Sequence, residues 1–109
     1  MDSVPHGSNY DGAVGVILGV ALQRHFAESG TRPPFDLTVA CLRAEESCWF
    51  PHSYIGSKMA LDLLDPDVLT SVTRSDDGEM LGAHIDASGF DAAAVARGKT
   101  FLDPATIVA

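Results

Sequence analysis

One strand-like run, residues 35–42 with the sequence FDLTVACL, sets the main constraint on the fold of this chain. Continuous apolar runs of this length are typical of strands in parallel sheets, which are covered on both faces. The segment before it, residues 12–29, has helical spacing, and a helix followed by such a strand is half of a βαβ unit. A lone strand cannot satisfy both of its edges. The sequence therefore predicts an α/β fold whose sheet needs further strands, from other short segments or from a partner.

The predicted helix over residues 12–29 is apolar nearly all round in its first half, which predicts that this half is buried. Gly30 is expected to end the helix, and two prolines soon after it prevent continuation. Gly15 and Gly19, one turn apart, would let the helix lie close against a sheet. Shorter helices are predicted at residues 53–64, 80–88 and 91–97.

The composition indicates a single globular domain and excludes some partners. Fifteen acidic residues against seven basic ones give a net charge of −8, which argues against nucleic acid and anionic membranes as ligands. The longest apolar stretch, residues 13–22, is too short to cross a bilayer, and no charged segment of a signal peptide precedes it, so we expect a cytoplasmic protein.

Cys41 and Cys48 match no zinc or redox motif, and Cys41 is expected to be buried on the strand.

Two adjacent glutamates, Glu45 and Glu46, follow the predicted strand. The carboxyl ends of strands are where open α/β sheets build active sites. Because two like charges side by side repel each other and resist burial, a bound cation is a common remedy. One carboxylate would then bind the metal, while its neighbour accepts a proton from water. The alternative interpretation is a pair of solvated surface acids.

Three further side chains are candidates for the same site. Asp11, where a turn-rich segment meets the long helix, is either an N-cap or a metal ligand at the same sheet edge. His6 and His52 lie in loops near the carboxylates, and each is either a ligand or an ordinary polar loop residue. No histidine pair has the spacing of a zinc-peptidase motif.

Three motifs, in order, resemble one known family: residues 2–12 (DSVPHGSNYDG), 43–47 (RAEES) and 53–57 (SYIGS). Together with the intervening helix and strand, they resemble the catalytic domain of dinuclear metal amidohydrolases. These include the N-carbamoyl-L-amino-acid hydrolases and allantoate amidohydrolases, which share a fold with zinc aminoacylases and aminopeptidases. The resemblance covers essentially the whole chain. It implies an incomplete fragment of a three-layer, zinc-exopeptidase-like α/β domain over residues 1–109, without the lid or dimerisation domain.

The resemblance also implies a role for each matching residue. Asp2 matches the acid of a His-x-Asp motif, which orients a metal-binding histidine. Asp11 matches the aspartate that bridges two metal ions. Glu45 matches the general base, and Glu46 matches a terminal metal ligand. Family members use zinc, manganese, cobalt or nickel, and they cleave carbamoyl or amide C–N bonds of N-carbamoyl or ureido substrates.

The sequence departs from the family pattern at several points. The histidine of the His-x-Asp motif would precede Met1, and the next family ligand would follow Ala109. Ala44 replaces a common asparagine, and Trp49 stands where many relatives have arginine. We therefore expect an amidohydrolase fragment that binds metal weakly and is inactive in isolation. Two alternatives are a self-associating, non-enzymatic α/β module, which would form a homodimer, and an unrelated acidic domain in which Asp11 is only a cap.

Overall fold

A computed structural model of the chain describes residues 4–7, 12–100 and 102. Within them the regular structure is almost entirely helical. The helices are α1 (Ala13–Ser29), α2 (Ile55–Ala60), α3 (Val68–Ser71), α4 (Leu81–Ala87) and α5 (Ala92–Ala96). The described residues contain one isolated antiparallel bridge, between Thr73 and Met80.

Among the described residues the buried core lies between Phe50 and Ala92, and each of the short helices α2 to α5 contributes one or two apolar side chains to the same cluster. Helix α4 packs against both α3 and α5. Partly buried apolar side chains, Trp49 and Met59 among them, cover the edge of the cluster. The buried members of the cluster are Phe50, Ile55, Leu64, Leu69, Leu81, Ile85 and Ala92.

The predicted helices over residues 12–29, 80–88 and 91–97 are confirmed as α1, α4 and α5, with ends set by local chemistry. Gly30 ends α1 in the left-handed conformation, with φ 67°. Gly89, with φ 85°, ends α4 in a Schellman motif, in which the Phe90 N–H donates to the Ile85 carbonyl over 3.2 Å. The Asp91 side chain accepts a hydrogen bond from the Ala94 N–H and so caps α5.

Helix α2 is shorter than the predicted helix over residues 53–64. It begins after Tyr54, whose φ of 60° is left-handed, and it ends in a Schellman motif with Asp62 in the left-handed region. In that motif the Leu63 N–H donates to the Lys58 carbonyl over 2.8 Å. Helix α3, which follows Pro66, was not predicted from the sequence.

The prediction that the first half of α1 is buried is wrong. No residue of α1 is buried, and the Ile17 and Leu18 side chains are 66% and 64% exposed. The physical reason is that the described core forms without α1, and the extended segment 35–42 contacts only part of the α1 surface, at Gly19 and Gln23. No helix of the described residues is both long enough and apolar enough to cross a bilayer.

Residues 35–42 are extended, but they form no strand within the described part of the chain. Leu37 and Val39 face α1: the Gln23 side chain donates to the Leu37 carbonyl over 3.2 Å, and Val39 packs at Gly19. A strand requires a ladder of hydrogen bonds to a neighbouring segment, and the described residues form no such ladder along 35–42. The expectation that Cys41 is buried is wrong, since this side chain is exposed. The α/β class and the three-layer architecture stay predictions.

Candidate functional site

The Glu45–Glu46 pair lies in a loop that connects the extended segment to α2. Two backbone hydrogen bonds close this loop: the Tyr54 N–H donates to the Glu45 carbonyl over 2.8 Å, and the Ile55 N–H donates to the Ala44 carbonyl over 3.0 Å. Both ends of the loop adopt the left-handed conformation, with φ 55° at Ala44 and 60° at Tyr54. Non-glycine residues seldom adopt this conformation, and such backbone strain often marks functional loops.

The Glu45 carboxylate is held in place by one residue of α2. The Ser57 N–H donates to Oε1 over 2.8 Å, and the Ser57 hydroxyl donates to Oε2 over 2.7 Å. Because the first N–H groups of a helix lack partners within the helix, this carboxylate caps α2 from a distant part of the chain. A carboxylate has about four acceptor positions, so each oxygen of Glu45 can still accept a proton or a further hydrogen bond.

Gly56 makes this arrangement possible, and sequence reasoning missed its role. A Cβ atom at Gly56 would lie 2.0 Å from the Arg43 carbonyl oxygen and 2.8 Å from Glu45 Oε1. Neither distance is sterically allowed, so only glycine lets the loop approach the start of α2 this closely. The available signal was the SYIGS motif, in which Gly56 and Ser57 stand together.

Glu46 is placed differently from Glu45. It is half-buried and lines a cavity of about 380 Å³ beside the core. The structure therefore separates the two carboxylates: Glu45 contacts the start of α2, and Glu46 lines the cavity. Such a separation is compatible with the two distinct roles that the sequence predicts for the pair.

Among the other predicted site residues that the structure describes, His52 belongs to this loop, whereas His6 precedes α1. Asp2 and Asp11 lie outside the described residues, and the N-cap of α1 is Gly12. His6 is exposed and has a left-handed φ of 61°. His52 is half-buried, and its Nε2 lies 3.1 Å from Lys58 Nζ. Because an ammonium group can only donate, this contact makes His52 Nε2 the acceptor.

The described residues do not by themselves form a metal centre. They contain no group of three or more His, Cys, Asp or Glu side chains that could hold a metal ion. The donor chemistry of Asp11 and Glu46 suits hard or borderline divalent cations, which carboxylates bind well. A metal centre that includes Glu46 would require further ligands. Asp11 is the further ligand that the sequence predicts in this chain.

Comparison with known proteins gives no relative of this chain: no protein-family model, curated protein sequence or solved structure matches it.

The Glu45–Ser57 contact predicts a measurable loss of stability when either side chain is removed. We expect Glu45→Ala to lower the free energy of unfolding by about 1–2 kcal/mol and Ser57→Ala by about 1 kcal/mol, the usual cost of losing a helix cap or a hydrogen bond to a charged group. The double variant should lose less than the sum, because the two side chains share one interaction. Urea unfolding followed by Trp49 fluorescence measures all three.

The matched control is Glu28→Ala. Glu28 forms an exposed ion pair with Arg24, with an N···O distance of 2.7 Å, and exposed pairs contribute little to stability. The urea unfolding midpoint of Glu28→Ala should therefore equal that of the wild type. An additive double variant of Glu45 and Ser57 would contradict the capping contact.

Proposed function

We propose that this chain is part of the catalytic domain of a metal-dependent amidohydrolase that cleaves carbamoyl or amide C–N bonds. The resemblance of its three motifs to the N-carbamoyl amino acid and allantoate amidohydrolases is the main support. The observation that carries the proposal is the fixed geometry of Glu45, whose two carboxylate oxygens are both anchored by Ser57. A general base needs such a fixed position, since a misplaced base loses much of its effect.

The roles proposed for the residues follow from their chemistry. Asp11 and Glu46 would bind divalent metal, and Asp2 would position a further ligand. A bound divalent metal lowers the pKa of coordinated water and polarises a carbonyl group. Glu45 would accept a proton at one of its carboxylate oxygens while Ser57 keeps the side chain oriented. The substrate would be an N-carbamoyl or ureido compound, and the cytoplasm stays the expected location.

A metal titration tests the proposed ligands. Calorimetric titration of the chain with Zn²⁺ or Mn²⁺ should show weak binding, which Asp11→Asn and Glu46→Gln each weaken by roughly tenfold or more, because each removes a ligand charge. Asp36→Asn and Glu28→Gln make the same chemical changes at exposed positions, and they should leave the affinity unchanged. If all four variants bind metal like the wild type, the proposed site is wrong.

The same preparation tests the expected inactivity. Incubated with either metal and an N-carbamoyl amino acid, the chain should give no turnover. Turnover that Glu45→Gln abolishes would contradict that expectation, while it would support the assignment of Glu45 as the base.

A second function, self-association as a small interaction module, is favoured by a separate observation. The apolar surface of α1 and the extended segment 35–41 lie together, since Val39 packs at Gly19 of α1. The two segments 13–22 and 35–42 together contain a single charged side chain, that of Asp36. Two copies could therefore meet on this surface without the repulsion that a net charge of −8 would otherwise produce.

Light scattering coupled to gel filtration tests this second function. We expect a dimer that Ile17→Lys converts to a monomer, because a lysine in the centre of an apolar interface would be desolvated without a partner. Leu63→Lys is the matched control: Leu63 is equally exposed but lies outside α1. A monomeric wild type at high micromolar concentration, or an equal effect of both variants, would exclude this surface as the interface.

A further inference from the structure

The cavity that Glu46 lines has the size and lining of a small-molecule site. Its volume is about 380 Å³, and ligand pockets usually have volumes of about 300–1,000 Å³. Helices α2 and α4 and the loop before α2 form its walls, which are largely apolar. The apolar lining includes Trp49, Phe50, Ile55, Met59, Leu81, Ile85 and Phe90.

Two of the ionisable side chains on the cavity wall already have partners. Arg74 forms ion pairs with Asp76 and Asp77, with N···O distances of 3.0 and 3.5 Å. His84 Nδ1 lies 3.5 Å from a carboxylate oxygen of Glu79. The charge of Arg74 is therefore balanced within the protein, and the His84 ring already faces a carboxylate.

The remaining two charged groups on the wall are Glu46 and Arg43. Glu46 has an interaction partner of its own. The exposed Arg43 side chain forms no ion pair or hydrogen bond with any residue in the described part of the chain. Within the described part of the chain, Arg43 is thus a charged group beside the apolar cavity that no ion pair balances.

We propose that this cavity binds a small monocarboxylate with an apolar, preferably aromatic, body. The guanidinium of Arg43 would bind the carboxylate through two parallel hydrogen bonds, a geometry that arginine favours. The apolar body of the ligand would fill the cavity and contact the indole of Trp49. The proposal does not depend on the amidohydrolase function, because it requires neither a metal nor a reaction.

Trp49 provides the readout, since it is the single tryptophan of the chain. Titration with phenylacetate should change its fluorescence in a saturable way. The matched ligands 2-phenylethanol and phenethylamine keep the aromatic body and replace the carboxylate by a neutral and by a positive group. We expect both of these ligands to bind at least about tenfold more weakly than phenylacetate, because the charge-assisted hydrogen bond to the carboxylate is lost. Equal affinity for 2-phenylethanol would overturn the proposal.

Arg43→Gln tests the residue that carries the argument. The exposed Arg43 side chain lies outside the core, so the variant should fold, and it should bind phenylacetate on the order of tenfold more weakly. Arg24→Gln removes another exposed arginine, from α1, and should bind like the wild type. As a second measurement, phenylacetate should raise the melting temperature of the wild type and of Arg24→Gln more than that of Arg43→Gln. An unchanged affinity in Arg43→Gln, or no saturable change in Trp49 fluorescence, would overturn the proposal.

Discussion

Replacing Gly56 by alanine is expected to lower the free energy of unfolding by about 3 kcal/mol or more, because the added Cβ has no space. It would lie 2.0 Å from the Arg43 carbonyl oxygen, a backbone atom that cannot rotate away. Relieving this clash requires the loop before α2 to move, which would break the contact of Glu45 with Ser57. Small domains have total stabilities of only about 5–15 kcal/mol, so this single substitution should remove a large fraction of the stability.

Gly15→Ala is the matched control for this prediction. A Cβ atom at Gly15 would have nothing within 4 Å, and alanine is the better helix former by roughly 1 kcal/mol. Thermal unfolding followed by circular dichroism should therefore show Gly15→Ala at or above the melting temperature of the wild type and Gly56→Ala well below it. Equal melting temperatures for the two variants would show that the loop does not approach α2 as closely as described.

The second large effect is expected for Leu81→Ala, which should cost between about 2 and 5 kcal/mol through lost burial and the cavity left behind. Leu81 is 3% exposed and belongs to the core cluster. Leu63→Ala makes the same change at a side chain that is 67% exposed, and it should change stability by less than about 0.5 kcal/mol. Urea midpoints of the two variants test the prediction. A similar loss in both would mean that the core is not where the structure places it.

The two stability predictions and the site are connected. Leu81 and Ile55 pack in the core and also line the cavity, and Gly56 and Ser57 follow Ile55 in α2. The loop that carries Glu45 and Glu46 is thus fastened to the core by α2 and by its own Phe50 side chain. We infer that the position of the glutamates depends on the packing of this short helix, which on its own would be too short to be stable.

Local patterns in the sequence predicted α1, α4 and α5 well because their signals act within a few residues, whereas α3 was missed and α2 is shorter than predicted. Gly30 and Gly89 end α1 and α4, and Asp91 caps α5, as short-range chemistry requires. Burial could not be predicted in the same way. The apolar pattern of α1 indicates that the helix prefers to be covered, but it does not say whether the rest of the chain supplies the cover.

The candidate site, too, was predicted from the sequence only in part. The sequence alone selected Glu45 and Glu46, since two adjacent acids after an apolar run are visible without coordinates. Only the tertiary structure assigned Ser57 as the partner of Glu45, because that contact joins residues twelve positions apart. The need for glycine at position 56 was likewise decided by a backbone from another part of the chain. The ends of α1, α4 and α5 were set by neighbours in sequence, whereas the cap of α2, the exposure of α1 and the separation of the two glutamates were set by contacts between distant segments.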